Sequence, residues 1–272
     1  MAEILEFRIP TGNDRTLLVL GLETDVLEHA LYSTFAAFGL LYSVKMHRNA
    51  PVAGPGYYAL VKFYSARDAR RAQCACNQQC LFQKSPLKVS LCTRQRHYPQ
   101  QAYILNSYKC RELANYYLGF NGWSSRIITL QNISGFDEES EEKEVKPSSP
   151  RSQRPKFLCI QELTIPRYGI RTRGVGVAEL QPDPNQEFLI STYNVQKIAV
   201  HRALSDAFQK IFIIVLENGK VAVEYSSPQE DPIECLTEEE LKGLIQVSEL
   251  SHSQLNPIDE EEILADFSIN GE

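Results

Sequence analysis

The stretch Glu112–Trp123, ELANYYLGFNGW, decides how the second half of the chain folds. Apolar side chains recur at helical spacing up to Gly119. This pattern predicts a helix that opens at Asn106 or Ser107 and ends at that glycine. The chain must then turn sharply before it continues as a strand.

The glycine-rich turn after this helix has two interpretations. Trp123, the only tryptophan, can fold back against the helix and the following sheet, which makes GFNGW a scaffold. Alternatively, Phe120 or Trp123 stacks directly on nucleic-acid bases. We favour the scaffold, whose role would be to hold a basic helix against a curved sheet.

Three strands and a second helix follow this turn. The predicted strands are residues 126–133, 156–165 and 170–180, with a PRYG turn between the last two. A long amphipathic helix is predicted from Ser191 or Thr192 to about Phe212, and Asn218–Gly219 predicts a hairpin after it. The second half is therefore expected to be an α-β-β-β-α domain.

The first part of the chain alternates between strand and helix in the order β-α-β-β-α-β. The predicted strands are residues 16–22, 40–48, 57–64 and 87–94, and the helices are residues 25–38 and 65–77. Ser65 with Asp68, and Asp25 with Glu28, have the spacing of capping boxes for these helices. The order is the ferredoxin-like pattern, which places the chain in the α+β class.

At this length the pattern resembles an RNA recognition motif, whose third strand carries base-stacking aromatic residues. The corresponding stretch is Gly56–Phe63, GYYALVKF, where Tyr58 fills one stacking position and Leu60 stands at the other. Strand alternation places Leu18, Tyr58, Leu60 and Lys62 on one open face. Stacking contributes about 1–3 kcal/mol per base, so this face should bind nucleic acid weakly alone. The alternative is an apolar patch covered by protein.

Segments of the second half resemble the DNA-annealing core of the Rad fifty-two recombination mediator family. They are ELANYYLGFNGWSSRIITLQN, GVGVAEL and VQKIAVHRALSDAFQKIF. The resemblance implies that single-stranded DNA lies in a basic groove beside the short and the long helix. An RNA recognition motif followed by such a core is similar to a family of recombination and DNA-damage proteins.

The resemblance also assigns residues to that groove. Lys109 and Lys210 match basic positions of the family, whereas Gln209 and Ile213 are neutral at two others. The candidate nucleic-acid-binding residues are Tyr58, Lys62, Lys45, Arg94, Lys109, Arg126, Arg167, Arg171, Arg173, Lys197, Arg202 and Lys210. We expect them to form one positively charged trough; the alternative for each residue is a solvated surface charge.

Charge is segregated along the chain, although the net charge is −6. Residues 1–136 carry fifteen basic and eight acidic side chains, whereas residues 221–272 carry fourteen acidic side chains and one lysine. A basic folded part is compatible with a nucleic-acid partner. In the tail, Thr237 and Glu240 predict a capped short helix. The later run DEEEILADFSI is a docking motif for a basic groove, an internal competitor for the DNA site, or a solubilising tail.

These patterns divide the chain into three parts. We predict an RNA recognition motif domain over residues 1–96 and a Rad fifty-two-like DNA-binding domain over residues 97–225. A disordered acidic loop is expected at residues 137–153, and an acidic tail at residues 226–272.

The sequence shows no catalytic motif and no metal-ligand spacing, so we expect no enzyme, cofactor or metal site. Its seven cysteines are expected to be free thiols, with the cluster at 74, 76 and 80 buried or half-buried. The expected partners are single-stranded DNA, RNA, double-stranded or distorted DNA, and a second copy in a homodimer or higher oligomer, but no membrane. The expected location is the nucleus, with the nucleolus and cytoplasm as further sites. The alternative is an interaction or oligomerisation module whose aromatic-poor sheet face binds a protein.

Overall fold

A computed structural model describes residues 2–93, 104–134, 155–180, 188–226 and 232–243. The strands in these ranges are β1 (Glu3–Glu6), β2 (Thr16–Leu22), β3 (Leu41–Arg48), β4 (Tyr57–Phe63), β5 (Lys88–Leu91), β6 (Ser124–Asn132), β7 (Lys156–Ile165), β8 (Ile170–Glu179), β9 (Ile211–Val215) and β10 (Val221–Tyr225). The helices are α1 (Glu28–Ala36), α2 (Ala66–Cys76), α3 (Ser107–Leu118), α4 (Phe188–Gln209), α5 (Pro232–Cys235) and α6 (Glu238–Gly243). The predicted acidic loop at 137–153 and the DEEEILADFSI run lie outside the described residues.

The first unit is an antiparallel sheet in the order β3-β4-β2-β5, with α1 and α2 packed on one face. Alternate strand residues point into this core, so Leu17 and Val19 are buried while Leu18 and Leu60 line the other face. The ferredoxin-like order and the open face are thus confirmed. Ser65 caps α2 as predicted, because its hydroxyl accepts from the amide of Asp68 at 3.1 Å.

Helix α1 begins later than predicted. Its N-cap is Leu27, which makes no side-chain capping bond, so the predicted capping box of Asp25 and Glu28 is wrong. The amides of Ala30 and Leu31 both donate to the Leu27 carbonyl. The first turn is therefore closed by the backbone alone.

The second unit has the predicted α-β-β-β-α order, formed by α3, the antiparallel sheet β6-β7-β8, and α4. Both helices pack on one face of this sheet, which we call the inner face, around a core that includes Leu163, Ile165 and Phe208. Helix α4 ends before the predicted residue 212, because Ile211 onward forms a strand between β1 and β10. The opposite face of the sheet is the outer face.

Two glycines of β8 let α4 lie close to the sheet. A Cβ at Gly174 would overlap the Ala203 carbonyl and come within 2.9 Å of the Ala207 Cα. A Cβ at Gly176 would meet α4 one turn earlier, within 2.9 Å of the Arg202 Cβ. The GVG sequence therefore serves helix–sheet packing, and α4 contributes small alanines to the same contact.

The GFNGW turn confirms the scaffold interpretation for Trp123. Gly119 ends α3 with φ +85°, and a Cβ at Gly122 would overlap the Leu118 carbonyl. The Trp123 indole N–H donates to Asn115 Oδ1 at 2.8 Å, and its ring packs edge-on against Phe208 at 5.3 Å. The turn thus ties α3 to α4.

The N-terminal residues belong to the second unit, which corrects the predicted boundary of 1–96. Strand β1 pairs antiparallel with β9, and Leu5 and Phe7 are buried in the core under α3 and α4. Phe7 stacks on Phe208 with centroids 4.7 Å apart. The ferredoxin-like fold is therefore inserted between β1 and the rest of its partner unit.

Direct contacts fix the two units against each other. The Glu3 carboxylate accepts hydrogen bonds from the Ser65 hydroxyl and the Ala66 amide, both at 2.6 Å. A carboxylate at the start of α2 also favours the helix dipole. Tyr64, which follows β4, is buried in the core of the second unit. The orientation of the open face relative to α3 is set by these contacts.

The cysteine cluster is more exposed than predicted. All seven cysteines are free, but of the predicted cluster only Cys76 is buried, whereas Cys74 and Cys80 are exposed. Among the described helices, none is long and apolar enough to cross a membrane.

The glycine contact predicts a large effect of a single methyl group. Gly174→Ala should lower the free energy of unfolding by about 1–3 kcal/mol or more, because the added Cβ meets backbone atoms that cannot yield. Denaturant unfolding of the full chain measures this change. Gly243→Ala is the control, since a Cβ there meets nothing within 4 Å. Equal losses in both variants would contradict the close packing of α4 on β8.

Candidate nucleic-acid interface

The open face of the first unit carries cations, one ring and apolar side chains in adjacent strands. Strand register places Lys45 opposite Leu60 and His47 opposite Tyr58. The Tyr58 ring stacks on His47 with centroids 5.2 Å apart, and its side chain is half-buried. The face therefore offers one aromatic platform flanked by positive charge, which suits an unpaired base and its phosphate.

Tyr42 connects this face with the second unit. Its ring is close to two ammonium groups, with Lys62 Nζ at 5.6 Å and Lys109 Nζ at 6.0 Å from the centroid. Lys62 is on β4 and Lys109 is in the first turn of α3, so the two cations come from different units. Lys109 also pairs with Glu112 at 2.6 Å, which neutralises part of its charge. The predicted Lys109 site is therefore continuous with the open face.

A second positively charged region lies where α3 contacts α4. The exposed ring of Tyr108 packs edge-on against His201 at 5.0 Å. Burial lowers the pKa of His201, and the neighbouring charges of Arg111 and Lys197 lower it further. Lys197, a predicted site residue, thus belongs to a positive field on this side of the molecule.

The outer face of the second unit is organised around a buried carboxylate. The Glu162 side chain is 3% exposed and accepts from Arg126 at 2.9 Å and from Arg173 at 3.4 Å. The more exposed Arg171 lies 3.8 Å away. A carboxylate at this depth is stable as a charge only beside such cations. These arginines therefore have a structural partner within their own sheet.

The helices α5 and α6, which we call the C-terminal helices, cover the outer face. Leu241 is fully buried against Ile128 and Ile160, with Ile233 and Leu236 beside it. At the rim, Arg126 also pairs with Glu238, and Gln131 donates to the Lys242 carbonyl at 2.8 Å. The predicted capped helix is confirmed, since the amide of Thr237 donates to Glu240 at 2.7 Å and the Glu240 amide donates back at 3.2 Å.

Arg173 and Lys210 lie under these helices. The Arg173 side chain is 11% exposed and donates to the carbonyls of Ile233 and Leu236. Lys210 donates to the Arg173 carbonyl and is 3.9 Å from both Asp206 and Glu234. Two residues predicted for the DNA groove thus hold the C-terminal helices.

The ionic contact at the rim depends on pH. The hydrogen bonds that Arg126 donates to Glu238 and Glu162 raise its pKa above the ordinary value. The same bond lowers the pKa of Glu238 below its ordinary value of 4.5, with smaller effects of Lys242 and Arg173. Because the folded pKa of Glu238 is lowered, its contribution is complete above pH 4.5 and is lost as pH falls through the lowered value.

The structure places the eleven predicted residues that it describes in separate regions, not in one trough. Tyr58, Lys45, Lys62, Lys109 and Lys197 follow the open face and the α3–α4 contact, while Arg126, Arg171, Arg173 and Lys210 surround the outer face. Arg167 is exposed in the turn before β8, with its guanidinium 6.0 Å from the Tyr168 ring centroid. Arg202 donates to the Val177 carbonyl at 2.7 Å. Arg94 lies outside the described residues.

Sequence reasoning missed Tyr42, Tyr108 and Glu162. Tyr42 lies within the register shift between Leu41 and Ser43 in β3, so strand alternation alone does not show that it meets Lys109. Glu162 had a local signal, since it is the one acid in the apolar run FLCIQELTI. A charge inside such a strand must be paired when the strand is buried.

Family models match two parts of the chain. The RNA recognition motif model matches residues 17–86, and the model described as the RDM1 DSRM domain matches residues 105–212, which contain the α-β-β-β-α unit. Both descriptions denote nucleic-acid-binding domains.

Curated proteins also match over the whole chain. RAD52 motif-containing protein 1 of Gallus gallus is 59% identical, covering 100% of this chain and 97% of the relative. The protein of the same name from Homo sapiens is 48% identical, with coverage of 100% and 97%. Among solved structures, the Mip6 RRM3 domain is 23% identical and covers 30% of this chain and 96% of its own, with a TM-score of 0.27.

Reversal of one charge at the rim should loosen the C-terminal helices. Arg126→Glu would place three carboxylates together, so amide hydrogen exchange in residues 238–243 should rise by at least about tenfold, the equivalent of 1.4 kcal/mol. Mass spectrometry of the full chain measures the exchange. Arg167→Glu, an exposed arginine in the turn before β8, should leave it unchanged. Equal exchange in all three proteins would contradict the role of the Arg126 ion pairs.

Proposed function

The chain belongs to the family of RAD52 motif-containing protein 1, and on that premise we propose that it binds single-stranded DNA, and RNA, in the DNA damage response and recombinational repair. Its RNA recognition motif and DSRM-type domain are nucleic-acid-binding domains. In this proposal the chain holds strands without catalysing a reaction.

One observation carries the proposal: the open face and α3 are joined through Tyr42. A strand that stacks a base on Tyr58 and follows β4 passes Lys45 and Lys62 before it reaches Lys109. Since each phosphate neutralised by a lysine releases counterions, several weak contacts in a row add affinity without sequence preference. This supports single-strand binding more than base-pair readout.

The free energy expected from base stacking explains why both units are needed. Base stacking contributes about 1–3 kcal/mol per base, and Leu18 and Leu60 offer no ring at the other stacking positions. The open face alone therefore supports weak binding. Lys109, and beyond it Lys197 on α4, extend the phosphate path by contacts that the first unit lacks.

The outer face is a weaker candidate for the strand. Its arginines are engaged with Glu162, and the carboxylates of Glu234 and Glu238 lie at its rim. A phosphate there would have to displace acidic groups and the buried Leu241. The proposal therefore assigns Arg126 and Arg173 to stability.

Further parts of the proposal concern location and assembly. We infer that the protein acts in the nucleus, as a homodimer or higher oligomer, which follows from the resemblance to recombination mediators. Light scattering at several concentrations tests the assembly, where a constant monomer mass would overturn it. Imaging of a fluorescent fusion in intact cells tests the location, where exclusion from the nucleus would overturn it.

Removal of the two linking lysines tests the electrostatic path. Lys62→Ala with Lys109→Ala should weaken binding equally for all single-stranded sequences, because these side chains meet phosphates. The slope of log affinity against log salt should fall by about 1 for each lysine. Filter binding between roughly 50 and 200 mM salt measures both quantities.

The control for this variant is Lys84→Ala with Lys220→Ala, which removes the same charge from exposed positions in a loop before β5 and in the β9–β10 turn. Its affinity should stay close to that of the unaltered chain. If the control lost as much affinity as the linking pair, the effect would be one of net charge, and the path through Tyr42 would be wrong.

Removal of the one stacking ring should have a separate effect. Tyr58→Ala is expected to weaken binding by about 1–3 kcal/mol with an unchanged salt slope, because the lost contact is with a base. Tyr32→Ala removes a more exposed ring on α1, on the covered side of the sheet, and should change nothing. Fluorescence anisotropy with a labelled oligonucleotide compares them, and no loss for Tyr58→Ala would remove the open face from the proposal.

A further inference from the structure

The outer face holds a short acidic segment in which each position has a defined role. The segment is Leu236–Leu241, of sequence LTEEEL. Its two apolar ends pack together beside Ile128 and Ile160, and Leu241 is fully buried. The arrangement is a capping box with a hydrophobic staple, in which the residue before the N-cap meets the fourth helical residue.

Polar contacts fix the middle of this segment. Thr237 is the N-cap and exchanges hydrogen bonds with Glu240 at 2.7 and 3.2 Å, while Glu238 pairs with Arg126. Glu239 points to solvent and is exposed. The face itself contacts the two apolar ends and Glu238, while Thr237 and Glu240 fix the helix start. The pattern that fits is therefore an apolar residue, an N-cap residue, glutamates at the first and third helical positions, and a second apolar residue.

The same pattern occurs again at Ile258–Ile263, of sequence IDEEEI. Ile258 corresponds to Leu236, Asp259 to the N-cap Thr237, Glu260 to the partner of Arg126, and Ile263 to the buried Leu241. Asp is at least as favourable as Thr at an N-cap, and isoleucine matches leucine in volume. The apolar ends, the two capping residues and the glutamate that pairs with Arg126 thus all keep their chemistry.

The length of the tail allows this second segment to reach the face. Strand β10 ends at Tyr225, about 30 residues before Ile258, and an unstructured chain of that length, with residues 232–243 released, would have a root-mean-square span of roughly 30 Å. That distance is similar to the diameter of a small domain. A tether of this length also gives a local concentration up to the millimolar range, which favours the same chain over a second copy.

We propose that the outer face of β6-β7-β8 is a receptor for this acidic helix-start pattern, and that residues 258–263 of the same chain replace residues 236–241 there. Only one segment fits at a time, because both use Arg126 and the apolar site between Ile128 and Ile160. When residues 258–263 replace residues 236–241, Glu162 and its arginines stay covered and residues 236–241 are released. The segment at 236–241 is the more strongly held of the two, since Arg173 also binds the carbonyls of Ile233 and Leu236.

A fluorescein-labelled peptide of residues 254–268 tests this receptor by anisotropy with the full chain. Binding should be weakest to the unaltered chain, stronger to Leu241→Asp, and strongest to Leu241→Asp with Ile263→Asp, since the last has neither segment of its own to compete. Each step should change affinity by about tenfold or more, because a charge replaces a buried apolar group. Circular dichroism reports whether each variant is folded.

Charge reversal identifies the site on the face. In the chain that carries both Leu241→Asp and Ile263→Asp, the further change Arg126→Glu should abolish binding of the peptide. A peptide with Glu260→Lys should restore binding to that variant. Arg167→Glu in the same background is the matched control and should bind normally. If a variant unfolds, hydrogen exchange of the unaltered chain replaces it: excess peptide should speed the exchange of residues 238–243.

Several results would overturn the proposal. Residues 258–263 are only part of a solvated tail if the peptide binds no folded variant and leaves the hydrogen exchange of residues 238–243 unchanged. The same holds if Arg126→Glu does not change the affinity for the peptide. The same-chain assignment is wrong if Ile263→Asp has no effect in the Leu241→Asp background. It is also wrong if Leu241→Asp forms larger particles with concentration in light scattering, which would make a second copy the occupant.

Discussion

The buried carboxylate of Glu162 is the constraint on which the second unit depends. Its side chain lies within the sheet beside Arg126 and Arg173, and the same two arginines bind the C-terminal helices. Loss of one partner of a buried ion pair typically costs about 3–5 kcal/mol, because the other charge stays desolvated. The position of these arginines is therefore fixed by Glu162. Because they also bind the C-terminal helices, the same carboxylate helps to hold Leu241 in its apolar site.

A second constraint gives the molecule its functional surface. The N-terminal strand β1 pairs with β9, and Glu3 of that strand caps α2 of the inserted unit. With Tyr64 buried in the neighbouring core, the open face cannot rotate freely relative to α3. Tyr42 therefore stays close to both Lys62 and Lys109, and the two folds meet at one positively charged junction.

Local sequence patterns predicted much of this architecture, because strand alternation, helix capping and glycine turns depend on residues that are close in sequence. Alternation in GYYALVKF gave the open face, the Ser65 and Thr237 capping boxes gave two helix starts, and the glycine turn gave the end of α3. The first strand was missed because EILE is short and its partner, β9, is about two hundred residues away in sequence. Short-range sequence patterns do not predict a pairing over that separation. The single trough was wrong for a related reason: counting arginines does not reveal which of them neutralise a buried acid. Lys109 and Lys62 were both predicted as nucleic-acid-binding residues, but their meeting at Tyr42 depends on how the units dock.

We propose that a single strand lies across the open face and α3 while the outer face stays covered. Hydrogen exchange of the full chain with and without a single-stranded oligonucleotide tests this placement most directly. Exchange should become slower in β3, β4 and the first turn of α3, with residues 238–243 unchanged. Slower exchange in β6 and β8 together with faster exchange in residues 238–243 would show the strand displacing the C-terminal helices, and would contradict it.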